Sequence, residues 1–229
     1  MNARFVSILL ALLAGWAMPA QANLDALTNQ DAVSGLKAAL EKGSGAAVDL
    51  LGKTDGFFGN SAVKIPLPDS LKKYEKLMRG VGMGKYADEL ELTMNRAAEA
   101  AVPEAKKLFV DSIKKMSVQD AKGILTGGQT GGTEYFKRTT SDQLRVKFLP
   151  IVKQATAKVK LAEKYNQYAQ KGVAFGLVKK DQANLDDYVT QKSLDGLFYM
   201  VGEEEKKIRQ NPVQAGSEII KKVFGALKK

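Results

Sequence analysis

Through most of this 229-residue chain from Asp31 to Leu227 the apolar residues return at every third or fourth position, and no run alternates with period two for long enough to make a strand. That spacing gathers them on one face of a helix, segment after segment, with Gly and Pro clusters as punctuation. The predicted fold class is all-α, a single-domain irregular helical bundle.

The segments can be read in order. Asp31 caps a helix carrying Val33, Leu36, Leu40, Ala47 and Leu51, with a weak point at Gly43-Ser44-Gly45. Turn formers then make residues 52–68 a loop, in which Phe57 and Phe58 either plug the bundle or meet a ligand. A helix from Asp69 to about Arg79 ends at the glycines Gly80, Gly82 and Gly84. The next, from about Lys85, aligns Leu90, Met94, Ala97 and Ala101. Pro103 opens a fourth, and Ser117 to Asp120 reads as a capping box. After the loop at 127–132, Tyr135 and Phe136 sit on a short turn. Thr140 or Ser141 then caps a long helix bent at Pro150. A less regular stretch covers 172–187. Helix resumes from about Thr190 to Gln210, and Pro212 opens the last one, with its seam at Ile220, Val223, Phe224 and Leu227.

The first 22 residues read as an address rather than as part of the bundle. Arg4 precedes an apolar run from Phe5 to Ala14, and Ala20-Gln21-Ala22 gives the small-x-small cleavage pattern before Asn23. That run is about half of the ~20 residues a membrane span needs. With no twin arginine and no lipoprotein cysteine, the expectation is a cleaved signal peptide at 1–22, the general secretory route and a periplasmic location. Residues 23–229 would then be one helical domain.

The chain has neither cysteine nor histidine. That excludes His-based triads, imidazole general bases, thiolate nucleophiles, disulfides, iron–sulfur clusters and metal sites built on His or Cys. What remains for catalysis is carboxylate, Lys, Arg, Tyr, Ser and Thr chemistry. No cofactor is implied. The net charge is +10, one less without Arg4, and it favours anionic partners. Export and the lack of aromatics interleaved with Lys/Arg argue against nucleic acid.

Three groups invite a functional reading. The loop Gly127 to Gly132 has P-loop glycine spacing, but Thr133 and Glu134 replace the Lys and Ser/Thr. What is left is an anion site at a helix start from Gly131, Gly132 and Thr133, helped by Lys137 and Arg138, or else a plain connector. Asp88, Glu91, Asn95 and Glu99 lie along one side of a helix. They suit an oxygen-ligated cation or one acid of a glycan hydrolase, with Asp186, Asp187, Asp195 or Glu203 to Glu205 supplying the second. The ordinary alternative is an ion-paired face. The run from Glu203 to Arg209 reads as a solvated face with i,i+4 pairs. The last helix is basic and amphipathic, with Lys221, Lys222, Phe224, Lys228 and Lys229 facing either a membrane or the core.

The strings LGKTDGFFGN, KIPLP, GMGKYADELELTMNRAAEAAVPEAKKLF, AKGILTGG, EYFKRTT, DDYVTQKSLDGLF and GEEEKKIRQNP together resemble domain-of-unknown-function family 4197. The likeness runs from about Leu24 to Gly225. It implies an all-helical, exported envelope protein and carries no functional residue with it.

The function expected is a non-enzymatic periplasmic binding or interaction protein for an anionic or amphiphilic envelope partner: a lipid-like molecule, a membrane surface or a protein. The rivals are a carboxylate hydrolase of cell-wall glycan and a purely structural assembly protein.

Overall fold

The computed structural model describes residues 28–227; the leader expected at 1–22 and the lysines Lys228 and Lys229 lie outside them. The described residues form nine α-helices joined by loops and three short 3₁₀ turns, with no strand among them. The all-α reading holds.

Helix α1 (Asn29–Leu51) starts one turn earlier than Asp31 suggests. Thr28 is the cap, its Oγ1 accepting from the Asp31 N–H at 3.0 Å. Asp31 sits in the first turn, where a carboxylate suits the helix dipole. The helix runs unbroken through Gly43-Ser44-Gly45, because Gly43 faces a neighbour: a Cβ there would lie 3.4 Å from Ile208 Cδ1. Helices α2 (Asp69–Gly80) and α3 (Gly84–Ala101) form a hairpin through a turn with Gly82 at φ +77°. Pro103 lies in a 3₁₀ turn leading into α4 (Ala105–Lys115), and Ser117 and Asp120 form the expected capping box of α5 (Val118–Thr126).

Helix α6 (Gly131–Thr156) corrects the sequence reading. The turn at Tyr135 and Phe136 and the long helix after it are one element. Thr140 and Ser141 do not cap it. Their hydroxyls donate back to the Phe136 and Lys137 carbonyls, a bond that a helix interior offers as readily as a cap does. Pro150 is accommodated because it and Val146, whose carbonyl it leaves open, are both exposed. The helix stops at Thr156, and α7 (Lys160–Ala174) follows as a separate element.

Asn184 caps α8 (Leu185–Gln210), accepting from the N–H groups of Asp186 and Asp187, so the irregular stretch ends sooner than expected. Pro212 opens a 3₁₀ turn closed by Gly216 at φ +65°, and α9 (Glu218–Leu227) begins only after it.

One core holds these together. Helix α8 packs against α1, α3 and α6, and α9 closes over α1. Phe109, Phe136 and Phe198 meet at the centre, with ring centroids 4.5 Å and 6.3 Å from Phe109. The loop at 52–68 is part of this core. Phe57, Ile65 and Leu67 are buried, and Gly196 of α8 makes room for the Phe57 ring. Phe58 is half-buried, with Lys64 and Arg96 over its face at 4.4 Å and 5.9 Å.

Candidate ligand-binding groove

The glycine loop expected to bind an anion already has one. Gly132 and Thr133 present their backbone N–H groups to the Glu205 carboxylate at 2.9 Å each, and the Thr133 hydroxyl donates to the same group. Arg209 completes the ring of donors at 2.8 Å and also donates to the Ile124 carbonyl. The physics of the helix N-terminus is as expected, but its anion is internal. Gly131 bonds back to Gly128, Lys137 pairs with Glu134, and Arg138 pairs with Asp120. No exogenous anion is needed to satisfy any of them.

The same contact corrects the reading of Glu203 to Arg209 as a solvated face. Glu203 and Glu204 pair outward with Lys206 and Lys207, whereas the Glu205–Arg209 pair is 7% and 13% exposed. Glu205 falls inside the apolar seam of α8, four residues after Val201 and three before Ile208. An acid in an apolar seam was the signal in the sequence.

The polar side of α3 clamps the 52–68 loop. Glu99 accepts from the N–H groups of Phe57 and Phe58 through Oε1 and from Arg96 through Oε2. Asn95 is fully buried. Its carboxamide accepts from the Ile65 N–H at 2.8 Å and donates to the Ile65 carbonyl at 2.9 Å. Glu91 pairs with Lys64 of the loop, and Asp88 with Arg79 of α2, which holds the Asp88 carboxyl below its ordinary range. The four residues are brought together along one helix, and all four have structural partners.

The other acids proposed for catalysis are paired too. Asp186 accepts from Thr156, Asp187 lies 3.8 Å from Arg145, Asp195 neighbours Lys192, and Glu203 holds Lys206. Among the described residues no three acidic side chains converge as a metal site would need. The trough between α6 and α8, about 700 Å³, carries Glu134, Lys137, Glu203 and Lys206, whose charges neutralise one another.

The last helix is docked. Phe224 is 3% exposed and lies under the Arg209 guanidinium at 5.3 Å, so it does not face a membrane. Lys222 pairs with Asp31 of α1 at 2.9 Å, and Lys221 lies 3.9 Å from Glu218.

The cavity with the composition of a ligand site lies elsewhere, between α2 and α7. It is a lateral groove of about 350 Å³, walled by Leu71, Leu161, Tyr165, Tyr168 and Ala169 and closed at one end by Leu177 and Val178. The α7 residues fall at helical spacing from Leu161 to Gly172, so the wall is roughly 16 Å long. Polar groups along it are few. Tyr165 donates to the Gln182 carbonyl at 2.7 Å and lies 3.0 Å from the Ser70 hydroxyl, and Lys164 stands at the wall. An apolar trough with a few polar groups is the usual build of a small-molecule site. At helical spacing Leu161, Tyr165 and Tyr168 cannot be told from an ordinary core seam in the sequence.

Fold and groove together define an all-α, single-domain helical bundle with a lateral apolar groove. The chain belongs to the family described as "Protein of unknown function (DUF4197)", whose profile matches residues 26–225. No curated protein and no solved structure matches it.

Proposed function

We propose that this is an exported, periplasmic, non-enzymatic protein that binds an anionic amphiphile. The observation that carries the reading is the α2–α7 groove, apolar along its length with Lys164 at its wall. An acyl or similar chain would lie against Leu161, Tyr168 and Ala169, and an acidic head would meet Lys164. Among the described residues that lysine has no ion-pair partner. The basic net charge favours the same class of ligand. A hydrolase finds less support, because its carboxylates are all engaged by cations, hydroxyls or backbone N–H groups.

Native mass spectrometry of the protein, isolated from the periplasm without detergent, tests this directly. A reproducible extra mass, released on denaturation, is expected. Displacement of a fluorescent fatty acid should weaken in Lys164→Glu, while a neutral alcohol of equal chain length binds both forms alike. A bare mass together with no fatty-acid binding would sink the reading.

A further inference from the structure

We infer that the loop from Phe175 to Val178 is a docking tip that seats this protein on an anionic bilayer surface. The proposal goes beyond the groove reading and does not require the groove to be loaded.

The first observation is exposure. Phe175 is 79% exposed, the highest value for a large apolar side chain among the described residues, and Leu177 and Tyr168 beside it reach 68% and 66%. The tip is nevertheless built. Leu177 donates to the Gly172 carbonyl at 2.8 Å, Gly176 donates to Val173 at 3.0 Å, and Gly176 takes φ +69°, which only glycine adopts freely. Val178 folds back over Gly172, close enough that a Cβ there would lie 2.7 Å from Val178 Cγ2. The turn is therefore closed, with Phe175 and Leu177 standing outside it.

Charge decides what the tip meets. The segment reads KGVAFGLVKK, with Lys171 on one side and Lys179 and Lys180 on the other. Between Lys158 and Gln182 there are six lysines and two carboxylates, Glu163 and Asp181. Lys179 is engaged by Asp69 at 2.8 Å, but among the described residues Lys164, Lys171 and Lys180 are in no ion pair. An apolar tip ringed by lysines matches the two layers of an anionic membrane surface, hydrocarbon beneath and acidic headgroups around. A protein partner fits less well, since three side chains fall short of the ~800 Å² per side that a stable interface buries. No described helix is long and apolar enough to cross a membrane, so the contact is peripheral.

The test uses the chain from Asn23, which keeps every residue of the described fold. It lacks Trp16, the sole tryptophan, so Phe175→Trp places a single reporter at the tip. With phosphatidylglycerol-containing vesicles its emission should shift to the blue and be quenched by brominated acyl chains. Pure phosphatidylcholine should do neither, and about 0.5 M salt should reverse the effect. Phe175→Ser and the pair Lys171→Glu/Lys180→Glu should each weaken vesicle cosedimentation about tenfold or more. None of these three residues lines the groove, so the mass of any groove ligand should stay unchanged. Unshifted emission on anionic vesicles would overturn the proposal, as would equal binding to neutral ones. So would a dimer that Phe175→Ser dissolves without any vesicle effect.

Discussion

Oε2 of Glu205 accepts two hydrogen bonds from one residue, Thr133, through its backbone N–H and its hydroxyl, each at 2.9 Å. The pair joins the start of α6 to the late part of α8, and Arg209 balances the charge from one turn further on. A helix N-terminus, a buried acid and a buried cation thus satisfy one another.

Glu205→Ala should therefore cost about 3–5 kcal/mol in urea unfolding, because it strands the Arg209 charge and two buried N–H groups. Glu204→Ala, one residue away but paired outward with Lys207, should stay within about 0.5 kcal/mol. Equal effects of the two would show that the buried pair is not special.

Asn95→Ala leaves both backbone groups of Ile65 without a partner, at a predicted cost of about 2–3 kcal/mol. The local readout is hydrogen exchange: the Ile65 amide should lose protection first. Amides within α6 should change only as far as global stability does.

Two glycines of α1 predict opposite signs. A Cβ at Gly35 would come within 2.5 Å of Val223 Cγ2 and 2.9 Å of the Ile219 carbonyl, so Gly35→Ala should destabilise by about 1–3 kcal/mol and expose α9 to protease. A Cβ at Gly45 meets nothing within 4 Å, and Gly45→Ala should stabilise by roughly 0.5–1 kcal/mol.

At alkaline pH the sensitive groups are two phenols: Tyr165 fastens α7 to Ser70 at the start of α2, and Tyr188 fastens α8 to the end of the 52–68 loop. Burial pushes Tyr188 up to about 12, and Tyr165 is raised for the same reason. A folded value above the unfolded one means the contribution is whole below pH ~10 and is lost as pH climbs through the folded value. Stability measured between pH 10 and about 12 should fall, and Tyr188→Phe should flatten that limb, since it removes the phenol bonded to the Pro66 carbonyl.

At acid pH the tie between the first and last helices responds. Hydrogen bonds donated by Lys222 and then by Thr28 hold the Asp31 carboxyl below the ordinary carboxylate value. Its contribution is complete above the unfolded value and disappears as pH falls through the folded one. Proteolytic release of α9 should rise on acidification, and less steeply in Asp31→Asn.

Helix period, the Ser117–Asp120 box and the loop at 52–68 were legible because each is a local signal, settled within a few residues. The misread boundaries share a different origin. Thr140 and Asp31 carry side chains that cap a helix start or sit inside a helix equally well, and only the neighbouring turns decide. At the candidate residues the chemistry is as expected and the partner differs. The start of α6 does hold an anion and Glu99 does gather donors, but the partners come from residues 72 and 42 positions away along the chain. The tip at Phe175 stands in the sequence as five apolar residues and two glycines between Lys171 and Lys179, in a stretch whose spacing marks no regular element.

The close approach of α9 to α1 at Gly35 bears on how this chain is made. Among the described helices, the first cannot finish covering its apolar face until the last has been added. Through most of its synthesis the polypeptide lacks a finished interior, and its slowest contacts are those spanning the whole chain. Until α9 is in place, the face of α1 around Gly35 stays open to solvent.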